Sequence, residues 1–303
     1  MTRLLGSPYL GAMQMMVALV FLCVLLGFFS PVLQTLLRDW LQPRPRRILL
    51  VPALLTLFFC AVLWRSGGLT LPFALVVGGY TLLPATLVAA NQRRSPWLDF
   101  LAILALWLPV EFAAAGQRLL PAHVHGLANE TAQGTAVALA LFLFLIFRDL
   151  KGMKYILPAR RGDLLNPLLG FAVAAPILVF LGLRLSFLGP FRVPEELSAA
   201  GTAKTFLIIL VGVALPEELL FRSLIQNRLM QVFGESNKSL FAAAVIFGAA
   251  HLNNGPLPLL NWRYMILATI AGYIYGKVFQ KSSTVLSSAA LHALVNTARR
   301  FFG

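Results

Sequence analysis

Apolar runs long enough to cross a bilayer alternate with short basic connections along almost the whole chain. Taken in order, they predict ten helical spans, at about residues 9–37, 48–64, 69–90, 97–115, 134–147, 167–188, 205–232, 239–252, 264–279 and 284–299. A helix needs about 20 apolar residues to cross a hydrocarbon core about 30 Å thick, so some of these runs are full spans and others are short. Unbroken runs such as 48–64 and 98–115 exclude the apolar–polar alternation of a membrane barrel. In lipid only helices or a closed barrel satisfy every backbone group, so the pattern predicts an all-α polytopic bundle of about 8–10 spans. Pro31 is expected to kink the long first span, and Gly78-Gly79 and Pro84 mark close packing or a bend in the third. The first run shows no small-residue cleavage site and reads as a retained span. Residues 116–133, with His123, His125 and Glu130, interrupt the apolar pattern and read as a wet loop. So does 189–200, with Glu195 and Glu196, and Asn253-Asn254-Gly255-Pro256 reads as a helix stop.

Composition agrees with the pattern. Of 303 residues, 59% are hydrophobic and 12% charged, against about 45–50% and about 25% in soluble domains. The net charge of +14 comes from 25 Lys and Arg against 11 Asp and Glu. In a soluble chain that excess would point to nucleic acid. Here the basic residues lie between spans, so they read as topology signals and contacts to anionic lipid, and no nucleic-acid partner is expected. With the N-terminus outside, the connections holding Arg38–Arg47, Arg93-Arg94, Arg148–Arg161, Arg228–Lys238 and Lys277–Lys281 all face the cytoplasm, while Arg299 and Arg300 fall on the other side. The most basic connection separates residues 1–160, a membrane module with no motif, from residues 161–303. Cys23 and Cys60 both lie in apolar runs and offer neither a disulfide framework nor metal-ligand spacing.

Chemistry is concentrated in the second half. Pro216-Glu217-Glu218-Leu219-Leu220-Phe221-Arg222 sits inside a strongly apolar run. A charge near the bilayer centre costs at least about 2.5–3.5 kcal/mol, so an ionisable residue there is a functional-site hypothesis with a named partner. Glu218 and Arg222 are four apart and share a helix face, which pairs them. Glu217 is turned about 100° away and is left over, an unpaired carboxylate in an apolar wall with the character of a general base. The same spacing is equally compatible with a structural ion pair beside a glutamate at the water boundary. Two further polar pairs follow, Phe247 with His251 and His292 with Asn296, each four apart. The chain holds four histidines, and these two end apolar helices. A lone histidine of this kind is an ordinary bundle hydrogen-bonder. The set of Glu217, Glu218, Arg222, His251, His292 and Asn296, drawn from three helices, forms an acid–base site with donors to spare.

These motifs, EExxxR at 217–222, FxxxH at 247–251 and HxxxN at 292–296, in that order on apolar helices, resemble those of the CPBP family of intramembrane proteases, which includes CAAX proteases and bacteriocin-processing enzymes. The resemblance covers roughly residues 165–302 and none of the first 160. It implies a helical bundle of the Ras-converting-enzyme type with a water-filled cavity in the membrane, and peptide-bond hydrolysis there. By motif position, Glu217 activates water, His251 holds the same water, Glu218 and Arg222 support them, and His292 and Asn296 donate to the oxyanion. General-base help is worth about 10²–10⁴-fold and each oxyanion donor about 10²–10³-fold.

Several readings stay open at this stage. Two histidines and a glutamate could hold zinc with a position left for water, although the HExxH spacing is absent; no cofactor is otherwise expected. A non-catalytic scaffold or immunity protein of the same fold, or a proton-coupled transporter, uses similar residues, but the chain shows no inverted repeat. Under the resemblance the substrate is a membrane-bound peptide: a prenylated C-terminus losing a tripeptide, a bacteriocin leader, or a sorting tail. The expected setting is multi-pass in a plasma or bacterial inner membrane, with the site in the cytoplasmic half to midplane. The predicted spans place Glu217 about 21 Å and His251 about 18 Å from opposite ends of their helices, a mismatch of several ångströms that calls for different helix boundaries.

Overall fold

The computed structural model describes residues 8–42, 44–91, 94–112, 114–194, 197–254 and 260–302. Arg93, Glu195, Glu196 and the Gly255-Pro256 stop lie outside the described residues. Helices dominate, and the β-structure among the described residues is a single antiparallel bridge between Phe191 and Phe302. The chain is an all-α membrane bundle. Its helices divide into two compact units, Met1–Lys151 and Gly152–Gly303. Among the described residues, five stretches are long and apolar enough to cross a membrane: Leu10–Gly27, Arg46–Arg65, Leu71–Ala90, Ala122–Phe147 and Arg161–Arg184. The helices that carry the motifs are not among these five, and one of them, Asn237–Ala249, is a shorter apolar helix.

The first unit contains α1 (Pro8–Gly27), α2 (Pro31–Leu41), α3 (Leu50–Arg65), α4 (Leu71–Ala90), α5 (Pro96–Glu111) and α6 (His125–Ala140). The expected kinked first span is two separate helices. α1 stops at Gly27, and Ser30 caps α2 by accepting from Leu33 N at 3.4 Å, with Pro31 at the first helical position. The expected wet loop at 116–133 is also corrected. Its second half opens α6, which runs on as a π-helix over Leu141–Phe147. Alanine, leucine and glutamine carry that helix, and its polar residues find partners inside the unit. Glu130 accepts from Gln14 at 3.0 Å, His123 Nε2 meets Ser66 O at 3.2 Å, and His125 Nε2 meets Leu120 O at 3.1 Å.

The second unit holds the motifs. α7 spans Arg161–Arg184. α8 is one long rod built from Ala199–Ile209, a π-segment Leu210–Ala214, a single α-turn Leu215–Glu218, a second π-segment Leu219–Gln226, and Asn227–Phe233. α9 (Asn237–Ala249), α10 (Trp262–Lys281) and α11 (Val285–Ala298) complete it. The rod starts earlier than residue 205 and has a π-segment on each side of the turn that carries Glu217.

Close approach in lipid relies on small residues. α9 and α10 meet through three glycines. A Cβ at Gly248 would lie 2.0 Å from Thr269 Oγ1 and 2.6 Å from the Met265 carbonyl oxygen. One at Gly272 would press on Phe247 at 2.7 Å, and one at Gly276 on Leu240 at 2.4 Å and Gln226 at 2.5 Å.

A second device fixes the turn between α10 and α11. Lys154 Nζ donates to the carbonyls of Phe279, Gln280 and Ser282 at 2.7, 3.1 and 2.8 Å, which satisfies orphan groups at the end of α10. Burial pushes the Lys154 ammonium pKa down, while Glu235 and Asp163 pull it back up. Asp163, buried at the start of α7, accepts from Ala159 N and Arg160 N at 3.0 Å and from Ser283 N at 2.7 Å. Its backbone carbonyl accepts from Ser287 Oγ at 2.8 Å. α11 therefore starts from a fixed point.

A Gly248→Ala variant is expected to unfold in detergent at a clearly lower temperature, with a loss of about 1–3 kcal/mol from overpacking. The Met265 carbonyl, unlike the Thr269 side chain, cannot rotate away. An unchanged melting temperature would show that α9 and α10 have room to separate.

Candidate active site

α8 brings three of the six candidate side chains. Pro216 has no N–H to donate to the preceding turn, and the π-segment just before it absorbs the disruption. Glu218 and Arg222 both have fully buried side chains, and Arg222 Nε donates to Glu218 Oε2 at 3.0 Å, as their spacing predicts. Arg222 also donates through Nη1 to Gln226 Oε1 at 3.4 Å and places its Cζ 4.9 Å from the Phe247 ring centroid. Its Nη2 is buried without a hydrogen-bond partner among the described residues, and a Cβ on Gly272 would lie 3.4 Å from it. The quadrupole of the Phe247 ring face is what compensates the cation there.

α11 brings His292 against this pair. His292 Nδ1 donates to Glu218 Oε1 at 3.2 Å, and Ser288, one turn earlier, also reaches the Glu218 carboxylate. With Nδ1 committed to a carboxylate, Nε2 points to the other glutamate, 3.9 Å from Glu217 Oε2. Glu217 is the less buried of the two acids, with a third of its side chain exposed, yet Oε2 itself is buried and has no hydrogen-bond partner among the described residues. One carboxylate is thus fully tied and the other faces an imidazole with an oxygen to spare.

Aromatic rings set the histidines' orientation. Tyr275 stacks on His292 with centroids 4.9 Å apart and planes at 23°, and Phe247 meets it edge-on at 5.9 Å. Phe247 also packs beside His251 at 4.8 Å, as the four-residue spacing predicts. His251 Nδ1 donates to the Phe247 carbonyl at 2.8 Å, which in the neutral ring leaves the lone pair on Nε2. Tyr264 closes on the same ring at 4.6 Å.

An apolar cavity of about 90 Å³ lies against these residues, with His251, His292 and Asn296 on one wall and Phe171, Leu267 and Ala271 among the others. Glu217 is not on that wall; the path from His251 to Glu217 runs through Phe247 and His292. Asn296 stands one turn beyond His292 and faces the cavity, half-buried. Among the described residues no three His, Cys, Asp or Glu side chains form a metal-ligand set.

Tyr275, Tyr264, Ser288 and Gln226 were not singled out in the sequence. Ser288 had a signal, since Ser288, His292 and Asn296 recur every four residues. Tyr264 and Tyr275 are three helical turns apart on α10, with small residues between them, which marks a cavity-lining face only once the packing partner is known.

The second unit thus combines a buried carboxylate–imidazole cluster with an apolar cavity inside a helical bundle. Residues 199–298, which contain all six side chains, match the family described as type II CAAX prenyl endopeptidase Rce1-like. The match covers about a third of the chain. No curated protein and no solved structure matches the chain.

Replacing Arg222 by Met leaves the Glu218 carboxylate buried without its guanidinium partner, a change that typically costs about 3–5 kcal/mol. R222M is expected to lose most of its thermal stability in detergent. The E218Q/R222M double variant should recover a large part of it, because no lone charge remains. A double variant no better than the single one would mean that the pair's attraction, not the isolated charge, dominates.

Proposed function

We propose that the protein is an intramembrane endopeptidase that uses a glutamate to activate water. The observation that carries this reading is the buried, unpartnered Oε2 of Glu217 held 3.9 Å from His292 Nε2. A water oxygen between them is within reach of both. Glu217 takes a proton from that water as its oxygen attacks the scissile carbonyl carbon. The negative charge moves to the carbonyl oxygen, where the Asn296 amide donates without having to be charged. His292 serves the same oxyanion when its Nε2 carries a proton, while Nδ1 holds the Glu218 carboxylate. His251, with Nδ1 bound to the Phe247 carbonyl, offers an acceptor at Nε2 to orient water. Return of the proton from Glu217 to the amide nitrogen releases the new amine. Glu218 and Arg222 position His292 and do not touch the reacting atoms.

The reading takes no metal. Each histidine commits Nδ1 to another group, and the acid oxygen nearest to His292 is placed to receive a proton. The substrate is a membrane-associated peptide, lipidated or carrying a sorting tail, because an apolar cavity in a bilayer favours a chain already anchored there. His292 is seven residues past Val285 and Tyr275 six before Lys281, each about 10 Å of helical rise from the turn that joins α10 to α11. The positive-inside rule puts that turn in the cytoplasm. Both features support a site between the cytoplasmic boundary and the midplane of a plasma or bacterial inner membrane.

The test compares wild type with Glu217→Gln on a library of membrane-anchored peptides. The substitution keeps shape and removes the base. Cleavage is expected to fall by about 10²-fold or more, with the melting temperature unchanged. Equal cleavage by both proteins would remove Glu217 from the mechanism.

A further inference from the structure

Tyr275 lines the cavity from α10 and is 2% exposed. Its ring stacks on His292 with centroids 4.9 Å apart, and meets Phe247 edge-on at 6.1 Å. A phenylalanine would make both contacts equally well, so the hydroxyl needs its own reason. A buried phenol ordinarily bonds its oxygen to the protein. Tyr80 does so, donating to the Leu106 carbonyl at 3.2 Å, and the Tyr264 hydroxyl is held by the Arg299 guanidinium, which lies over its ring at 5.4 Å. The Tyr275 hydroxyl has no hydrogen-bond partner among the described residues. It serves neither the packing of α10 nor its polar contacts.

Its surroundings say what it can serve. Glu218 and Glu217 are both within electrostatic reach of the phenol. The Glu218 oxygens are already taken by Arg222 and His292, so Tyr275 is not one of the groups that hold that carboxylate. Asn296 lines the same cavity from α11. Ala271 and Ala268, one and two turns before Tyr275 on α10, line it too, and their short side chains leave room beside the ring. A carbonyl oxygen entering this space meets an amide from one helix and a phenol from the next. Both are neutral donors, which an apolar site can hold without a counter-charge.

We propose that Tyr275 is a further catalytic residue, whose hydroxyl donates a hydrogen bond to the oxyanion formed at the scissile carbonyl, together with the Asn296 amide. This rests on the endopeptidase reading. As the water oxygen bonds to the carbonyl carbon, the C=O electron pair moves onto the carbonyl oxygen, and the phenol O–H bonds to that charge. No proton leaves Tyr275, and collapse of the intermediate returns it unchanged. His292 can serve the same oxygen only when its Nε2 carries a proton. A phenol remains a donor throughout the range in which a carboxylate base is ionised.

The experiment compares wild type with Y275F, each as the full chain in detergent. The probes are membrane-anchored peptides and their phosphonamidate analogues, in which a tetrahedral, anionic phosphorus stands for the intermediate. Phenylalanine keeps the stack on His292, so the melting temperature is expected to hold. Y275F should lose about 10²-fold in kcat with KM changed by less than about twofold, and the pH profile of kcat/KM should keep its shape. Its affinity for the phosphonamidates should fall about tenfold or more, and its affinity for the amides should not. Full activity in Y275F, or equal losses of amide and phosphonamidate binding, overturns the inference. So does a displaced acid limb of the pH profile, which would make the hydroxyl a partner of Glu217, and so does a lowered melting temperature with kcat and KM changed in step, which would assign it to the fold. Phosphonamidate-selective binding that Y275F abolishes, with no peptide cleaved by wild type, sustains the donor and defeats the endopeptidase reading. Cleavage undiminished in Y275F does the reverse. A wild type that neither cleaves the peptides nor prefers their phosphonamidates overturns both.

Discussion

A charge placed in lipid must be paired, and the second unit is arranged around that constraint. Glu218 and Arg222 are buried together on one face of α8, and neither tolerates the loss of the other. Their pairing leaves the carboxylate with one more oxygen, which takes the Nδ1 proton of His292, and leaves the guanidinium with a face, which Phe247 covers. The position and tautomer of the imidazole next to Glu217 thus follow from an ion pair to which Glu217 does not belong.

Holding such a pair requires close walls. Gly272 is small where Arg222 and Phe247 need room, and Gly248 and Gly276 let α9 and α10 approach on either side. The other end of the unit is fixed by polar contacts at the membrane boundary. Lys154 neutralises the carbonyl end of α10, and Asp163 binds the first residues of α11 to the start of α7. Glycine contacts in the bilayer and capping at its edge therefore set how far His292 reaches along α11. Small errors at either place would move the imidazole relative to Glu217 by more than a hydrogen bond tolerates.

Much of this was legible in the sequence. The apolar runs gave the helical class, and four-residue spacing correctly paired Glu218 with Arg222 and Phe247 with His251. The separate character of Glu217 also followed from its angle on the helix. Three things were not legible. The break between α1 and α2 depends on how Ser30 and Pro31 combine, and a proline within an apolar run reads equally as a kink. The first half of the helix at 125–147 was hidden because its polar residues are satisfied by other helices, which a linear pattern does not show. Tyr264, Tyr275 and Arg299 enter the site through packing of α10 and α11, and aromatic or basic residues near helix ends are common enough to carry no signal alone.

The widened turns of α8 add one further consequence. A π-turn is in effect a single residue added to an α-helix, and each residue advances the helix by about 100°. Wide turns flank the Leu215–Glu218 turn on both sides. They act as phase shifts, rotating the two glutamates relative to the lipid-facing residues before and after them. The apolar stripe that anchors the rod and the face that carries the two glutamates are thereby decoupled. The same length of helix can present one face to the hydrocarbon and another to the site, and the angle between them is a matter of residue count rather than of residue type.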